Sequence, residues 1–574
     1  AYIVATDFSS PFATVNTFFT IYVQYLFAPF PWQIKKHKKL TTRVQKAGAK
    51  ICLQILHGGR YSYHPFNVSA SSTKSPITPF KASALTKLGI KKTVWDYANC
   101  ASLAQKAGYD GIEIMGSEGY FLNQFIAPRT NLRNDDYGGS FENRIKIVTE
   151  ILKATRKKVG ANFIIIFRLS MLDLVDNGST FDEVVQLAKI LEKESVDLIN
   201  TGIGWHEARV PTIATMVPRN TFTWISQRIK KEVNIPVITT NRINNLNQAD
   251  QIIKEKHADM ISMARPFLAD PEIVNKFQND KADEVNTCIA CNQACLDHIF
   301  KGKIASCLVN PKACHELDFV PNSKGFKQIA VIGAGPAGIS FAIEAQRLGH
   351  KVSIYEKSSE IGGQFHLAKK IPGKEEFEET IRYFKKQIEL LGINLHLNTT
   401  IDLEFIQKQE FDHYIFSTGV VPRIPSIEGI DHPKCISYQD LINKKPVIGK
   451  KVAIIGAGGI GFDIAEYLAH NPEHQPTSLD KKAFFKEWGI DCDYKQRGAL
   501  TNKEPVESFR EIYLLQRKKT KHGKTLGKTT GWIHRQSLKD KKIKMLAGVE
   551  YNKVSDQGLH LTIDEKEIIL DVDH

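Results

Sequence analysis

KQIAVIGAGPAGISFAIEAQRLGHKVSIYEK, residues 327–357, reads as a strand, a tight turn, a helix and a second strand that ends on an acid. Gly333, Gly335 and Gly338 hold the Gly-x-Gly-x-x-Gly spacing. In such a turn the glycines allow a sharp bend and bring backbone close to a pyrophosphate at a helix N-terminus, while an acid placed like Glu356 bonds a ribose hydroxyl. The unit predicts a parallel, doubly wound α/β fold that binds a dinucleotide. It then repeats: KKVAIIGAGGIGFDIAEYLAH, residues 450–470, opens a second helix with Gly456, Gly458 and Gly461. The returning strand EIYLLQRKK (511–519) ends on Gln516, Arg517 and Lys518 where an NAD site would carry an acid. Basic residues there suit the 2′-phosphate of NADPH, the alternative being an exposed basic turn.

Upstream, short apolar runs recur with helix-like segments between them: AKICLQILH (49–57), YDGIEIMG (109–116), NFIIIFRLS (162–170), VDLINTGIG (196–204), PVITTNRI (236–243) and ADMISMARP (258–266). Continuous Val, Ile and Leu without polar alternation marks strands buried on both faces, and regular strand–helix alternation over more than 200 residues predicts a (β/α)8 barrel of the TIM type. AYIVA (1–5) serves as a seventh strand and an eighth is missing. His57, Glu118, Tyr120, Arg168, His206, Arg242 and Arg265 all fall at or just past the C-terminal ends of these runs, the rim on which barrels assemble active sites. The last two strand ends, TTNRI and SMARPF, set an arginine beside small residues whose amides suit an anion, either the phosphate of FMN or a phosphorylated substrate.

The bulk numbers agree with a multidomain enzyme. A chain of 574 residues has room for three or four domains at about 150 residues each. Its net charge of +15 is not interleaved with aromatics in the densest runs, so nucleic acid is not an expected partner. Four of nine cysteines, Cys52, Cys100, Cys435 and Cys492, are scattered, which suits a reducing compartment and predicts a cytoplasmic protein. No charge interrupts Phe8 to Ile34, but its Thr, Asn, Gln and Pro dilute the apolar content, and stable membrane insertion is not expected.

The other five cysteines crowd into residues 286–314, NTCIACNQACLDHIFKGKIASCLVNPKAC. Three close together with a distant fourth, Cys288, Cys291, Cys295 and Cys307, resemble iron–sulfur ligation more than paired zinc-ribbon spacing; zinc and a structural thiol group stay as alternatives. A one-electron carrier has an obvious place between two flavins.

Taken together, GYDGIEIMGSEGY, IIIFRLSMLD, NTGIGWHEARVPTIAT, TTNRI, SMARPFLADP, CIACNQACLDHIF, GAGPAG, IGGQF and LGKTTGWIHR resemble the bacterial iron–sulfur 2,4-dienoyl-CoA reductases, within the old yellow enzyme and trimethylamine dehydrogenase relatives, over residues 45 to 574. The resemblance implies an FMN barrel over 1–285, a [4Fe-4S] segment over 286–325, an FAD domain over 326–445 resumed at 555–574, and an NADPH domain over 446–554. It implies electrons passing from NADPH to FAD, to the cluster, to FMN and then to an acyl-CoA thioester in the β-oxidation of unsaturated fatty acids. By the same resemblance, Tyr120 is the proton donor and His206 its partner. Gln54, Arg168, Arg242, Ala264 and Arg265 contact FMN, and Gln364 of IGGQF joins the glycines and Glu356 in the dinucleotide-binding set. Cys288, Cys291, Cys295 and Cys307 ligate the cluster, with Cys314 spare. The family begins one strand and helix earlier and ends one strand and glycine turn later, and residues 6 to about 44 fit no barrel layer. Both flavin domains are therefore expected to be incomplete. An ene-reductase or amine dehydrogenase with the same relay, or an inactive truncated fragment, are the rival expectations.

Overall fold

In the computed structural model, which describes residues 2–5, 34–318 and 325–574, the apolar runs become seven parallel strands lying side by side in chain order. They are β1 (Tyr2–Ala5), β2 (Lys50–Ile55), β3 (Gly111–Gly116), β4 (Ile164–Leu172), β5 (Leu198–Ile203), β6 (Val237–Thr239) and β7 (Met260–Ile261), and among the described residues β1 and β7 are the edges of this barrel-like sheet. All six residues of β3 are buried, as expected for a strand covered on both faces. The helices between strands start where the sequence supplies caps. Thr86 and Ser140 cap Lys87–Lys106 and Phe141–Val159, and Thr180 forms a reciprocal capping box with Glu183 ahead of Phe181–Lys193.

One expectation is corrected here. Residues 34–46, read with the preceding stretch as fitting no barrel layer, form a helix that crosses between β1 and β2. Its charged face is exposed, while Thr41 donates to the Ala107 carbonyl at 2.9 Å and Val44 packs on the barrel core. Except for Ile34, the aromatic stretch weighed as a membrane span lies outside the described residues, among which no helix is long and apolar enough to cross a membrane.

Both glycine motifs follow parallel strands. β8 (Gln328–Ile332), β9 (Lys351–Tyr355), β10 (Asn394–His396) and β11 (His413–Phe416) form one sheet in the order β10-β9-β8-β11. A second contains β12 (Lys451–Ile455), β13 (Glu511–Gln516) and β14 (Lys544–Ala547). An antiparallel meander, β15 (Glu550–Ser555), β16 (Gly558–Ile563) and β17 (Lys566–Leu570), lays Leu559 and Leu561 against Leu515 of β13. The chain then runs beside β12, where the Ala453 amide donates to the His574 carbonyl at 2.9 Å.

Among the contacts that tie these parts to the barrel, two bear on the site. Between β12 and β13 a long excursion sends Phe484, Trp488, Tyr494 and Ala499 into the barrel's own hydrophobic core. Its tip is stitched to the loop after β4: the Leu174 amide donates to Gly498 O at 2.9 Å, and the Gly498 amide to Ser179 O at 2.8 Å. A side chain at 498 would lie 2.1 Å from the Val175 carbonyl, and φ is +71° there, so only glycine fits. The second contact is Glu376, between β9 and β10, which enters the barrel's C-terminal end and is met by three side chains. Arg219 donates from Nε at 2.6 Å and Nη2 at 2.5 Å, Arg242 from Nη2 at 2.5 Å, and Asn244 from Nδ2 at 3.2 Å.

Candidate active site on the barrel rim

The loop after β3 supplies Glu118 and Tyr120, and the loop after β5 supplies His206. The Tyr120 hydroxyl and His206 Nε2 are 2.8 Å apart, with the two rings edge to face at 4.9 Å. Burial, helped by the negative charge of Glu118 and opposed by Arg168, pushes the Tyr120 phenol well above its ordinary value. It therefore stays protonated across the physiological range and is available as an acid. Burial by its neighbours lowers His206 below its ordinary value, with Glu118 opposing and Arg168 adding to it, although the residue as a whole is exposed.

Glu118 sits at φ +51° and accepts from Arg168 Nε at 3.1 Å and Nη2 at 2.8 Å. Burial lowers Arg168, but the charges of Glu118 and Glu113 outweigh it and hold the guanidinium firmly protonated. Glu113, fully buried in the middle of β3, accepts from Gln54 Nε2 at 2.6 Å and from Asn200 Nδ2 at 2.7 Å. A layer of polar side chains thus lines the strand ends beneath the Tyr120–His206 pair, and Gln54 and Arg168 both belong to it.

Several contributors escaped sequence reading. Glu113 carried a signal, since an acid inside GIEIMG has to be partnered once that strand is buried. Tyr61 stands edge-on to both Tyr120 and His206 at 5.9 Å, its hydroxyl donating to Glu207 Oε2 at 3.1 Å. Arg60 and Arg129 hold the same carboxylate. Asp173 accepts from Trp205 Nε1 at 2.8 Å and from the Ser179 amide at 2.7 Å, so it fixes the His206 loop to the loop that Gly498 grips. Apart from Asp173 and Ser179, six residues apart, these partners lie 32 to 147 residues apart, and no local pattern marks them.

At the other end of the rim, Arg242 and Arg265 do not share one partner. Arg242 is 4% exposed, donates from Nε to the Val217 carbonyl at 2.8 Å, and is otherwise engaged by Glu376. Arg265 donates to Asn292 Oδ1 at 2.5 Å and, with Cys288, Cys291, Cys295 and Cys307, lines one cavity. Ala264 caps the short helix Arg265–Ala269 and is exposed. Cys314 is exposed and is not part of the cavity wall. Among the described residues no three acidic, histidine or cysteine side chains are gathered as for a single metal ion. Four thiols spread around a cavity suit a multi-iron cluster better than one zinc.

In the first glycine turn a Cβ at Gly338 would meet the Gly333 carbonyl at 2.1 Å, and in the second a Cβ at Gly461 would meet that of Gly456 at 1.8 Å, which fixes both as close-packing positions. Gly335 and Gly458 cap the following helices with open space around them. The Glu356 carboxylate accepts from the amides of Ala334 at 2.8 Å and Ser358 at 2.9 Å. Gln364 accepts from the Tyr438 hydroxyl at 3.3 Å. Arg517 and Lys518 follow β13, where Gln516 Nε2 donates to the Lys518 carbonyl at 2.9 Å.

Residues 31–284 match the NADH:flavin oxidoreductase / NADH oxidase family, and residues 327–574 match the pyridine nucleotide-disulphide oxidoreductases. Against a curated NADH oxidase of Thermoanaerobacter brockii the chain is 33% identical over 445 residues, which is 75% of this chain and 68% of that protein. The chain belongs to the NADH:flavin oxidoreductase family. A metal reductase of Desulforamulus reducens is 37% identical over 76% of this flavin oxidoreductase and 66% of its own length, so the chain spans about two thirds of these relatives. Among solved structures, a 2-naphthoyl-CoA reductase in complex with 2-naphthoyl-CoA has a TM-score of 0.83 at 28% identity, over 94% of this chain and 80% of that one. Flavin and NAD(P)H are the cofactors of these two domain families, and oxidoreduction is their chemistry.

Proposed function

We propose that this flavin oxidoreductase uses NADPH to reduce 2,4-dienoyl-CoA thioesters. The observation that carries the reading is the Tyr120–His206 pair, a protonated phenol held at 2.8 Å from an imidazole on the rim of an FMN barrel. The likeness to a structure holding an aryl-CoA thioester supports the substrate class.

The chemistry these groups would supply when bound is two-electron exchange with NADPH at FAD, one-electron relay at a [4Fe-4S] cluster and hydride donation at FMN. Cys288, Cys291, Cys295 and Cys307 would hold the cluster, and Gln54, Arg168, Ala264 and Arg265 the FMN. Arg242, held through Nε by Val217 and through Nη2 by Glu376 and close enough to Arg265 to feel its charge, would join Arg265 at the FMN phosphate. Gly333, Gly335, Gly338, Glu356 and Gln364 would hold FAD, while Gly456, Gly458, Gly461, Arg517 and Lys518 would hold NADPH.

The remaining chemistry belongs to the chain's own side chains. Hydride addition to a conjugated thioester builds negative charge on the acyl oxygen and α-carbon, which must be stabilised and then protonated. Tyr120 donates that proton. His206, at 2.8 Å, stabilises the phenolate left behind and relays a proton from solvent at its exposed edge. Arg168, kept cationic by Glu118 and Glu113, would present guanidinium N–H donors, its charge balanced by Glu118, to the flavin at the strand ends.

NADPH oxidation driven by hexadienoyl-CoA tests the reading, with an enone and a methylated amine as rival substrates. Tyr120→Phe should lower thioester reduction about 10²–10⁴-fold and leave NADPH-driven dye reduction intact. Turnover of the enone or the amine without turnover of the thioester would sink it.

A further inference from the structure

The loops that carry Tyr120 and His206 hang on one carboxylate. Asp173, fully buried just past β4, accepts at Oδ1 from Trp205 Nε1 at 2.8 Å, from Ser170 Oγ at 2.6 Å and from Asn123 Nδ2 at 3.3 Å. Its Oδ2 accepts from the Ser179 amide at 2.7 Å. Trp205 immediately precedes His206, and its amide donates to the Asp173 carbonyl at 3.0 Å. Asn123 reaches the other partner: its Oδ1 accepts from the amide of Gly119, the residue before Tyr120, at 2.8 Å. The two arms also meet each other. A Cβ at Gly119 would lie 2.8 Å from Cδ2 of the Trp205 ring, and the His206 amide donates to the Glu118 carbonyl at 3.2 Å.

An ionised carboxylate offers about four acceptor positions, and here four neutral donors fill them. Among the described residues no cation pairs with Asp173, so its charge is spent on orienting those donors. The segment that carries it is itself gripped by the excursion between β12 and β13. On one side of Asp173 the Leu174 amide donates to Gly498 O at 2.9 Å; on the other, Ser179 O accepts from the Gly498 amide at 2.8 Å and from the Tyr494 hydroxyl at 3.3 Å. The packing leaves no slack, since a Cβ at Gly178 would lie 2.8 Å from Asp173 Cβ and 2.9 Å from Gly498 Cα.

We infer that Asp173 is the positioning residue that sets the Tyr120–His206 separation, and that the excursion from the nucleotide-binding region holds it in place. It acts through Trp205 and Asn123 and touches neither partner of the pair directly. The inference rests on the reading of Tyr120 as proton donor and deepens it, because a donor displaced by about 1 Å loses on the order of 10²-fold in rate.

The test is a double-mutant cycle on the holoenzyme with hexadienoyl-CoA. Asp173→Asn keeps the side chain's shape, and its amide oxygen can serve the three donors at Oδ1. Its NH2 then faces the Ser179 amide, donor against donor. No partner charge is stranded by the change. The variant should lose on the order of 10²-fold in kcat with little change in KM. Adding it to Tyr120→Phe should cost nothing further, because a misplaced donor and an absent one lose the same step. Losses that multiply, as a merely structural role requires, overturn the inference. Trp205→Phe removes only the Nε1 donor and keeps a ring against Gly119; it carries the same expectation should Asp173→Asn fail to fold.

Acylation of His206 by diethyl pyrocarbonate, located by mass spectrometry, needs no turnover. The reagent takes a ring nitrogen with a free lone pair, and the Tyr120 hydroxyl bonded to Nε2 protects that atom. Asp173→Asn and Trp205→Phe should each speed acylation several-fold, toward the rate in Tyr120→Phe. Wild-type rates in these variants overturn the positioning role. Faster acylation in a protein that reduces no thioester, or in which Tyr120→Phe costs no turnover, keeps the positioning role and sinks the proposed reaction.

Discussion

Replacing Glu376 by glutamine keeps the shape of its side chain and removes its charge. In the wild type that carboxylate is 9% exposed and accepts from Arg219, Arg242 and Asn244. Burial alone would raise its pKa, but the two arginines outweigh it and hold the group at about 2, against 4.5 for an ordinary glutamate. At about 1.4 kcal/mol per pH unit, this difference corresponds to about 3 kcal/mol of folding stability. A similar figure follows from the other direction, because removing one partner of a buried ion pair and stranding the other costs about 3–5 kcal/mol. Since the folded pKa is depressed, the contribution is fully present above the unfolded value near 4.5 and is lost as pH falls through the folded value near 2. In a melt of the holoenzyme at pH 7 and fixed scan rate, Glu376→Gln should unfold at least about 6 °C below wild type, at roughly 2–4 °C per kcal/mol for a large domain. The gap should narrow by about 1 kcal/mol between pH 7 and pH 4. A variant melting within about 2 °C of wild type at pH 7, or a gap that widens in acid, would refute the reasoning.

Two further predictions concern the proposed cofactors. Cys295→Ser should abolish iron–sulfur absorbance in reconstituted protein while Cys314→Ser retains it, because only the first lines the shared cavity; equal spectra would remove Cys295 from the ligand set. Arg517→Ala/Lys518→Ala should raise the KM for NADPH roughly 10–100-fold, the worth of one or two charge-assisted hydrogen bonds, and leave the KM for NADH unchanged. Parallel increases for both nucleotides would mean that the two residues do not read the 2′-phosphate.

How far the sequence was legible depends on the range of the interactions. Each apolar run contains a strand of the sheet, as NFIIIFRLS contains most of Ile164–Leu172, because burial on both faces writes itself into consecutive residues. The glycine turns were legible for a similar reason: Gly338 and Gly461 answer clashes with backbone five residues away. Tyr120 and His206 come from different loops 86 residues apart, and a family resemblance, not spacing, paired them. Glu376 was invisible because its partners lie 132 to 157 residues away and an exposed glutamate reads the same as a buried one. The helix at 34–46 was missed for a different reason. Its KKHKK face looks like a solvated run, and its inward contacts are few, chiefly Thr41, Val44 and Ile34.

The excursion that carries Phe484, Trp488, Tyr494 and Ala499 has a consequence for how the molecule is made. These four residues belong to the core around β1 to β7, yet the first of them follows the end of β7 by 223 residues. A ribosome adding 5–20 residues per second needs about 10–45 s to deliver them. During that interval the nascent barrel stands with part of its apolar interior uncovered, and the cysteine segment and both glycine turns emerge beside it. Birth of the barrel is therefore completed by residues of the nucleotide-binding region, and a holding chaperone is most needed between synthesis of Ile261 and of Ala499.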